Sequence, residues 1–449
     1  MQIFDAAKGV ARDSYRELTL KRLYPERYRA CIKAPVIPGR VVFVEVREKT
    51  LTDNFKLIRA ALEKRNSQDG PTYTMEIVYL REGMESRAKV VKNCMAAIPK
   101  LARAEFIFVN EVSYLISCLP LRPQTHVIQT WHACGAFKKF GYSAVGKGFG
   151  VTREELDKYP VHRNNSYITV SSPEVIEPYA EAFNMEDQKD RFLPIGVSRT
   201  DMFFSRSYRA KSIGKTAWIL RRLQPKLFVK DGRSVEEASG KEILSRMEDV
   251  YSDRISNSGL DAADRVVPGK KIILYAPTFR GHVAGAKSPD VLDLAMLKRE
   301  LGDQYILLIK HHPFVKKRPS IPEDCADFAF DMTEHLTIEE LLIVADLCIT
   351  DYSSIIFEYS LFERPLLFFA FDMESYIDER GFYFPIEEMM PGPVCRTTAE
   401  IVSAIKEKGA EFDLPKVREF KYRFMSACDG HATARVLKLM DRLSAGETV

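Results

Sequence analysis

Four apolar runs in this chain stop abruptly at polar, chemistry-bearing residues, and that pattern constrains the fold more than any other feature of the sequence. Leu307-Leu308-Ile309 reads as a buried strand that leads at once into Lys310, His311 and His312, with Pro313 blocking continuation as a helix. Ile272-Ile273-Leu274-Tyr275 runs into Thr278 and Arg280, and Leu347-Cys348-Ile349 runs into Asp351, Ser353 and Ser354. His126-Val127-Ile128-Gln129-Thr130 runs into Trp131 and His132. In open α/β sheets ligands bind beyond the carboxyl ends of the strands, so these clusters are candidates for one site or more.

The spacing of the apolar runs supplies the architecture. Strands are expected at Val41 to Val46, Met75 to Leu80, Phe106 to Val109, His126 to Gln129 and Tyr167 to Val170, with helices such as Asn54 to Glu63 between them. The βαβ rhythm returns with strands at Lys271 to Tyr275, Ile306 to Ile309, Leu347 to Ile349 and Leu366 to Phe371, and a helix at Ile338 to Val344. A chain of 449 residues, 46% of them hydrophobic, can supply a core for each of two domains. The expected fold is therefore α/β, with two doubly wound Rossmann-like domains facing a central cleft. The expected boundaries are a basic helical segment at 1–40, a first domain at 41–204, a basic helical insert at 205–266 and a second domain at 267–449.

Charge and cysteine usage narrow the function classes. A net charge of +4 is too small to imply a nucleic-acid partner, so any electrostatic role must come from local clustering. Ser205 to Lys230 holds eight basic residues (Arg206, Arg209, Lys211, Lys215, Arg221, Arg222, Lys226 and Lys230) and no acidic one, with Trp218 and several aliphatic residues among them. Such a stretch suits either the headgroup layer of an anionic membrane or a solvated helix packed on the protein. The eight cysteines include no Cys-x-x-Cys pair, which argues against a zinc ribbon and a disulfide framework and for reduced thiols. The first residues lack a signal-peptide pattern, and no run of about 18 apolar residues exists to span a bilayer. The expectation is a protein on the cytoplasmic side.

Two sites carry the chemistry. Asp351 or Ser353 can cap the helix expected from Ile355 to Phe362, and a helix start of this kind binds phosphate. Lys310, His312 and Arg280, at the ends of neighbouring strands, add donors that a diphosphate would satisfy. His132, followed by the small residues Ala133, Cys134 and Gly135, has room to face a cleft and take a proton from a hydroxyl. A Cys134–His132 dyad is disfavoured by their separation on a tight turn, and His311 with His312 lacks the partners of a metal site. No cofactor or metal is expected.

These motifs, taken together, resemble a known family. Trp131-His132 with Lys138, Gly196 to Asp201, Tyr275 to Arg280, Lys310 to Pro313, Asp351-Tyr352-Ser353-Ser354 to Glu358, Asp372, Tyr376, Arg380-Gly381 and Asp429-Gly430 stand in the order seen in the CDP-glycerol:poly(glycerophosphate) glycerophosphotransferases, the teichoic-acid primases and polymerases. The resemblance runs from about Val41 to Leu439. It implies a GT-B fold and transfer of glycerol phosphate from CDP-glycerol to a lipid-linked polyol-phosphate or glycan acceptor at the cytoplasmic membrane face, with CMP released. By the same likeness His132 and His312 are catalytic, and Trp131, Lys138, Thr278, Arg280, Lys310, Asp351, Ser353, Ser354, Glu358, Arg380 and Gly381 bind substrate. Glu358 stands where the family commonly has aspartate, which bears on the donor alcohol. CDP-ribitol is the nearest alternative donor; a sugar-nucleotide transferase or a non-catalytic membrane-bound scaffold of the same fold are the others.

Overall fold

The structure, a computed structural model, describes residues 13–68, 72–147, 152–230, 233–234, 266–281, 285–386, 388–408 and 414–449. The chain divides into two compact units: Met1–Ala133, Phe140–Asp201 and Ala427–Val449 form the first, and Cys134–Lys139 with Met202–Ser426 form the second.

The first unit is built on six strands: β1 (Ile37–Glu45), β2 (Thr74–Tyr79), β3 (Ala104–Val109), β4 (His126–Gln129), β5 (Tyr167–Thr169) and β6 (Phe192–Leu193). They are all parallel, in the order β2-β1-β3-β4-β5-β6. Alternation along β1 shows why both faces are covered. Val42 and Val44 join a core with Tyr24 and Tyr28 of α1 (Tyr24–Cys31), while Val41 and Phe43 join a second core with Phe55 and Ile58 of α2 (Asp53–Asn66). The first of these cores also takes Val90, Cys94 and Ile98 of α3 (Arg87–Leu101).

The second unit repeats the plan with β7 (Lys271–Tyr275), β8 (Tyr305–Ile309), β9 (Ala329–Asp331), β10 (Leu347–Thr350), β11 (Leu366–Phe369) and β12 (Val394–Cys395). Its order is β9-β8-β7-β10-β11-β12, again all parallel. Each sheet thus has one place where the chain reverses its direction of strand addition: between β1 and β3 in the first, and between β7 and β10 in the second. Sequence order alone places these two crevices, and α/β sheets bind ligands there. Helices α4 (Arg206–Leu223), α5 (Ile338–Val344) and α6 (Ile355–Ser360) belong to this unit.

The expected boundaries need two corrections. The last helix, α7 (Ala432–Ser444), packs Val436, Leu437, Met440 and Leu443 onto Phe43, Phe106 and Phe108, so it completes the first unit and not the second domain. Arg65 pairs with Asp441 at 2.6 Å, and both main-chain amides at the start of α7 are held by Asp201 (Ala432 at 3.0 Å, Thr433 at 2.8 Å). Residues 134–139 also leave their neighbours in sequence and pair with the second unit, through Lys139 N–H to the Gly381 carbonyl and Tyr383 N–H to the Phe137 carbonyl. Of the expected insert at 205–266, Arg206 to Leu223 is helical, and residues 231–232 and 235–265 lie outside the described residues.

Candidate functional site

The switch point of the second unit opens into a cavity of about 540 Å³. Its wall comes from three strand ends: Ala276 to Phe279 after β7, Lys310 to Pro313 after β8, and Ser353 to Ile355 after β10, with Lys138, Thr337 and Ile338 closing it. Three of the apolar runs that opened the sequence reading therefore converge on one pocket, as the strand-end pattern requires. Phe279 and Ile338 carry no polar side-chain group, and neither they nor Thr337 were named as site residues from the sequence.

His312 is held by its surroundings in one tautomer. Its Nδ1 accepts the Phe314 amide at 3.2 Å, so the neutral ring carries its proton on Nε2 and presents a donor. Phe279 and Phe314 flank the imidazole, with ring centroids 4.8 and 4.7 Å away. Burial, with the nearby Lys138 charge, lowers its pKa from the usual histidine value. His311 also lines the cavity, but it is buried and its ring shares a 2.7 Å hydrogen bond with Ser288.

Lys310 lines the cavity while its ammonium donates to the carbonyls of Thr333 (2.8 Å) and Leu336 (2.6 Å). Burial lowers its pKa, with nearby carboxylates opposing. Lys138 donates to the Tyr376 hydroxyl at 2.7 Å.

Several expected ligands turn out to be scaffold. Arg280 does not line the cavity. Its guanidinium forks onto Asp372 (2.6 and 3.0 Å) and reaches Asp351 (2.9 Å) and the Thr278 carbonyl (2.7 Å). Burial acts against its charge, but the two carboxylates more than offset that and raise its pKa. Asp351, 2% exposed, spends its oxygens on Arg280, the Thr278 amide (2.9 Å) and hydroxyl (2.6 Å), and the Tyr352 amide (2.7 Å). Arg280 and Asp351 thus tie the β7 end to the β10 end across the switch point. Sequence placed both at the strand ends, and there the structure shows them bonded to each other.

The helix-start expectation changes too. α6 has only six residues, its N-cap Ser354 makes no side-chain cap bond, and the Ile355 amide is met by Ser353 Oγ at 3.4 Å. The dipole of so short a helix is small, which leaves the two serines as pocket-lining hydroxyls. Glu358 is buried in α6 and is not part of the cavity wall. Gly381, at φ +69°, serves the backbone pairing with Lys139. Arg380 ends the helix Met373–Arg380, and its side chain lies outside the described residues.

His132 belongs to the first unit, just past β4. Trp131 before it takes φ +52°, a conformation that costs a bulky residue about 1–3 kcal/mol and persists only when its surroundings impose it. The restraints are visible: the Trp131 amide donates to Gln129 Oε1 (3.0 Å), its carbonyl accepts Asn54 Nδ2 (2.9 Å), and Asn54 Oδ1 accepts the Arg199 amide (2.7 Å). The indole is 7% exposed and packs among Phe140, Phe183 and His162. Trp131 therefore positions the next residue and offers little surface to a substrate.

The His132 ring donates Nδ1–H to the Asn110 carbonyl at 3.3 Å, which leaves Nε2 as an acceptor. Protein crowded round the ring pulls its pKa down to about 4; the Asn110 carbonyl opposes this and the Arg199 and Arg47 charges add to it. The residue as a whole is nonetheless exposed to solvent, and with this lowered pKa the imidazole is neutral at pH 7. The two histidines thus present opposite chemistry, a lone pair at His132 and an N–H at His312.

The comparisons with known proteins agree with this geometry. The family model for CDP-glycerol:poly(glycerophosphate) glycerophosphotransferase matches residues 26–222 and 248–441. The chain belongs to that family. It is 33% identical over 406 residues to the teichoic acid ribitol-phosphate primase of Bacillus spizizenii, covering 90% of each chain. It is 26% identical over 408 residues to the teichoic acid glycerol-phosphate primase of Bacillus subtilis, covering 88% of this chain and 91% of that one. Among solved structures, the wall teichoic acid polymerase TagF superposes with a TM-score of 0.65 at 21% identity over 96% of both chains, which bears out the two-sheet, GT-B class of fold. The glycerophosphotransferase family is thus an enzyme family of teichoic acid synthesis, as the motifs implied.

Proposed function

We propose that this glycerophosphotransferase-family chain transfers a polyol phosphate from a CDP-activated donor to a hydroxyl of a lipid-linked acceptor and releases CMP. The observation that carries the reading is the switch-point cavity, where Lys310, His312, Ser353, Ser354 and Lys138 converge as donors for a diphosphate beside the wall formed by Thr278. The acceptor hydroxyl oxygen attacks the β-phosphorus of the donor, and its proton goes to Nε2 of His132. The bond from that phosphorus to the bridging oxygen breaks, and CMP leaves with the electron pair. Charge growing on the diphosphate is met by His312 Nε2–H and the Lys310 ammonium, which are already in place.

Ribitol is the first choice of polyol. Similarity to the ribitol-phosphate primase exceeds that to the glycerol-phosphate primase over nearly the same length, which supports a change from the glycerol donor implied by the motifs alone. Glycerol is the second reading, favoured by the family model itself. Measuring CMP release from CDP-ribitol and CDP-glycerol at equal concentration, with acceptor-bearing membranes, separates them. Ribitol should give the larger kcat/KM; release from neither donor would end the phosphotransfer reading.

The same proposal includes peripheral association with the cytoplasmic membrane face. In α4 the apolar side (Ala210, Ile213, Ile219, Leu220) is buried, and Lys215 pairs with Glu340 at 2.8 Å. Trp218 and Leu223 remain about half exposed, beside Arg222, whose guanidinium sits 4.9 Å from the Trp218 ring centroid. An amphipathic, basic, Trp-bearing surface supports docking on anionic headgroups.

A further inference from the structure

The switch point of the first unit, between β1 and β3, holds a buried cluster that none of the expected roles uses. Glu45 ends β1 and Asn110 follows β3, side by side because Val44 pairs with Val109. Glu45 is 0% exposed and Asn110 is 3% exposed. One oxygen of Glu45 accepts the Thr52 amide at 2.6 Å and the other accepts Asn110 Nδ2 at 3.0 Å. Asn110 Nδ2 also donates to Thr52 Oγ1 at 2.9 Å, while Oδ1 of the same amide has no hydrogen-bond partner among the described residues. The amide orientation is fixed by Glu45, since a turned amide would set its oxygen against the carboxylate. Thr52 opens α2, yet its hydroxyl caps no helix amide.

A carboxylate buried this completely is costly to keep, and burial raises the Glu45 pKa. What it fixes is the residue whose main-chain carbonyl receives Nδ1–H of His132. Held at its side chain by two acceptors, Asn110 has little freedom to rotate its peptide, and the carbonyl keeps one direction. That direction selects the His132 tautomer with a free Nε2.

We propose that Glu45, acting through Asn110, is a positioning residue that sets the tautomer and orientation of His132; the proposal rests on His132 being the base. Glu45 touches no substrate. It works by analogy with the outer-shell partners of metal-ligating histidines, whose loss costs about ten- to a hundredfold.

Glu45→Gln tests this with little change of volume. A glutamine has one oxygen for two donors, so an N–H must face either the Thr52 amide or Asn110 Nδ2. The full-length protein is assayed for CMP release from a CDP-polyol with acceptor membranes, alongside donor binding by calorimetry and thermal melting. Glu45→Gln should lower kcat about tenfold or more, with donor KM and donor affinity unchanged, because the donor cavity belongs to the other unit. His132→Ala is measured with it as a double-mutant cycle. If Glu45 acts only through His132, the double variant is no slower than His132→Ala alone. Equal fractional losses in both backgrounds, or a normal kcat in Glu45→Gln, overturn the proposal while leaving the base intact. A near-normal His132→Ala overturns the base itself, and the proposal with it. Should Glu45→Gln fail to fold, Thr52→Val takes its place. That change removes one of two acceptors for Asn110 Nδ2 and keeps the carboxylate; an unchanged kcat there also overturns the proposal.

Discussion

Replacing Arg280 by Ala separates two roles that sequence could not tell apart. As a diphosphate ligand, Arg280 would be missed by the donor and by little else. As the clamp seen here, it holds Asp372 through two bonds and Asp351 through one, and its loss leaves both carboxylates without their cation. Removing one partner of a buried ion pair costs about 3–5 kcal/mol. Asp351 keeps three other donors, from Thr278 and Tyr352, and the Asp372 side chain is 22% exposed, so the lower end of that range applies, about 3 kcal/mol. For a unit of this size each kcal/mol moves the melting temperature about 2–4 °C, giving a fall of about 6–12 °C. Two units need not melt together, so scanning calorimetry should show the shift in one transition. Donor affinity should fall with it, because the clamp carries the Thr278 and Ser353 walls of the cavity. Asp372→Asn, which removes a carboxylate that does not line the cavity, should weaken donor binding in the same direction. Unchanged melting in Arg280→Ala together with abolished donor binding would refute the clamp and restore Arg280 as a ligand.

The remaining predictions concern the histidines and the membrane. His312→Ala should lower kcat by about a hundredfold or more, whereas His311→Ala, whose side chain is tied to Ser288, should do much less by the same CMP assay. A base with a pKa of about 4 stays neutral through the physiological range, so kcat/KM should hold as pH falls towards 5 and drop only as pH passes through about 4; an acid limb centred near 6.5 would contradict it. His162, 5% exposed and stacked 3.7 Å from Phe183, has its pKa lowered by burial to about 3. The unfolded chain therefore binds the extra proton between pH 6.5 and 3, and stability should be lost as pH falls through that window, by at most about 5 kcal/mol; His162→Gln should flatten the slope in acid-dependent urea melts. Changing Arg221, Arg222 and Lys226 to Gln should reduce sedimentation with anionic vesicles, and salt should release the parent, since screening acts within about 8 Å at physiological ionic strength; equal sedimentation of both proteins counts against membrane docking.

Strand positions were legible in the sequence because each buried parallel strand is a short apolar run, and β4 and β7 lie where their runs lie. The edge strands β6, β9 and β12, with two or three residues each, were not legible: so few apolar residues show no period. The convergence of Thr278, Lys310, His312 and Ser353 followed from the strand-end pattern. The division of labour among them did not, because a guanidinium aimed at a phosphate and one aimed at Asp372 look alike in sequence. Glu45 and Asn110 could have been found by applying the same strand-end rule to β1 and β3, where a lone acid and a lone amide follow apolar runs. α7 was not read from the sequence, and its apolar stripe of Val436, Leu437, Met440 and Leu443 would not have said which of two sheets it covers.

That last packing has a consequence for how the protein is made. Phe43, Phe106 and Phe108 share a core with a helix that begins only at Ala432, so a ribosome that has finished β1 to β6 holds a sheet with one face partly bare. The first unit is the first to begin and cannot close until the second has been synthesised. Partly built chains with open apolar sheets are the species chaperones retain and proteases cut. A chain stopped after Ser426 should accordingly bind hydrophobic dye and lose protease resistance in residues 37–201, while its second sheet folds; a truncated chain with an intact, resistant first unit would show that α7 merely decorates it.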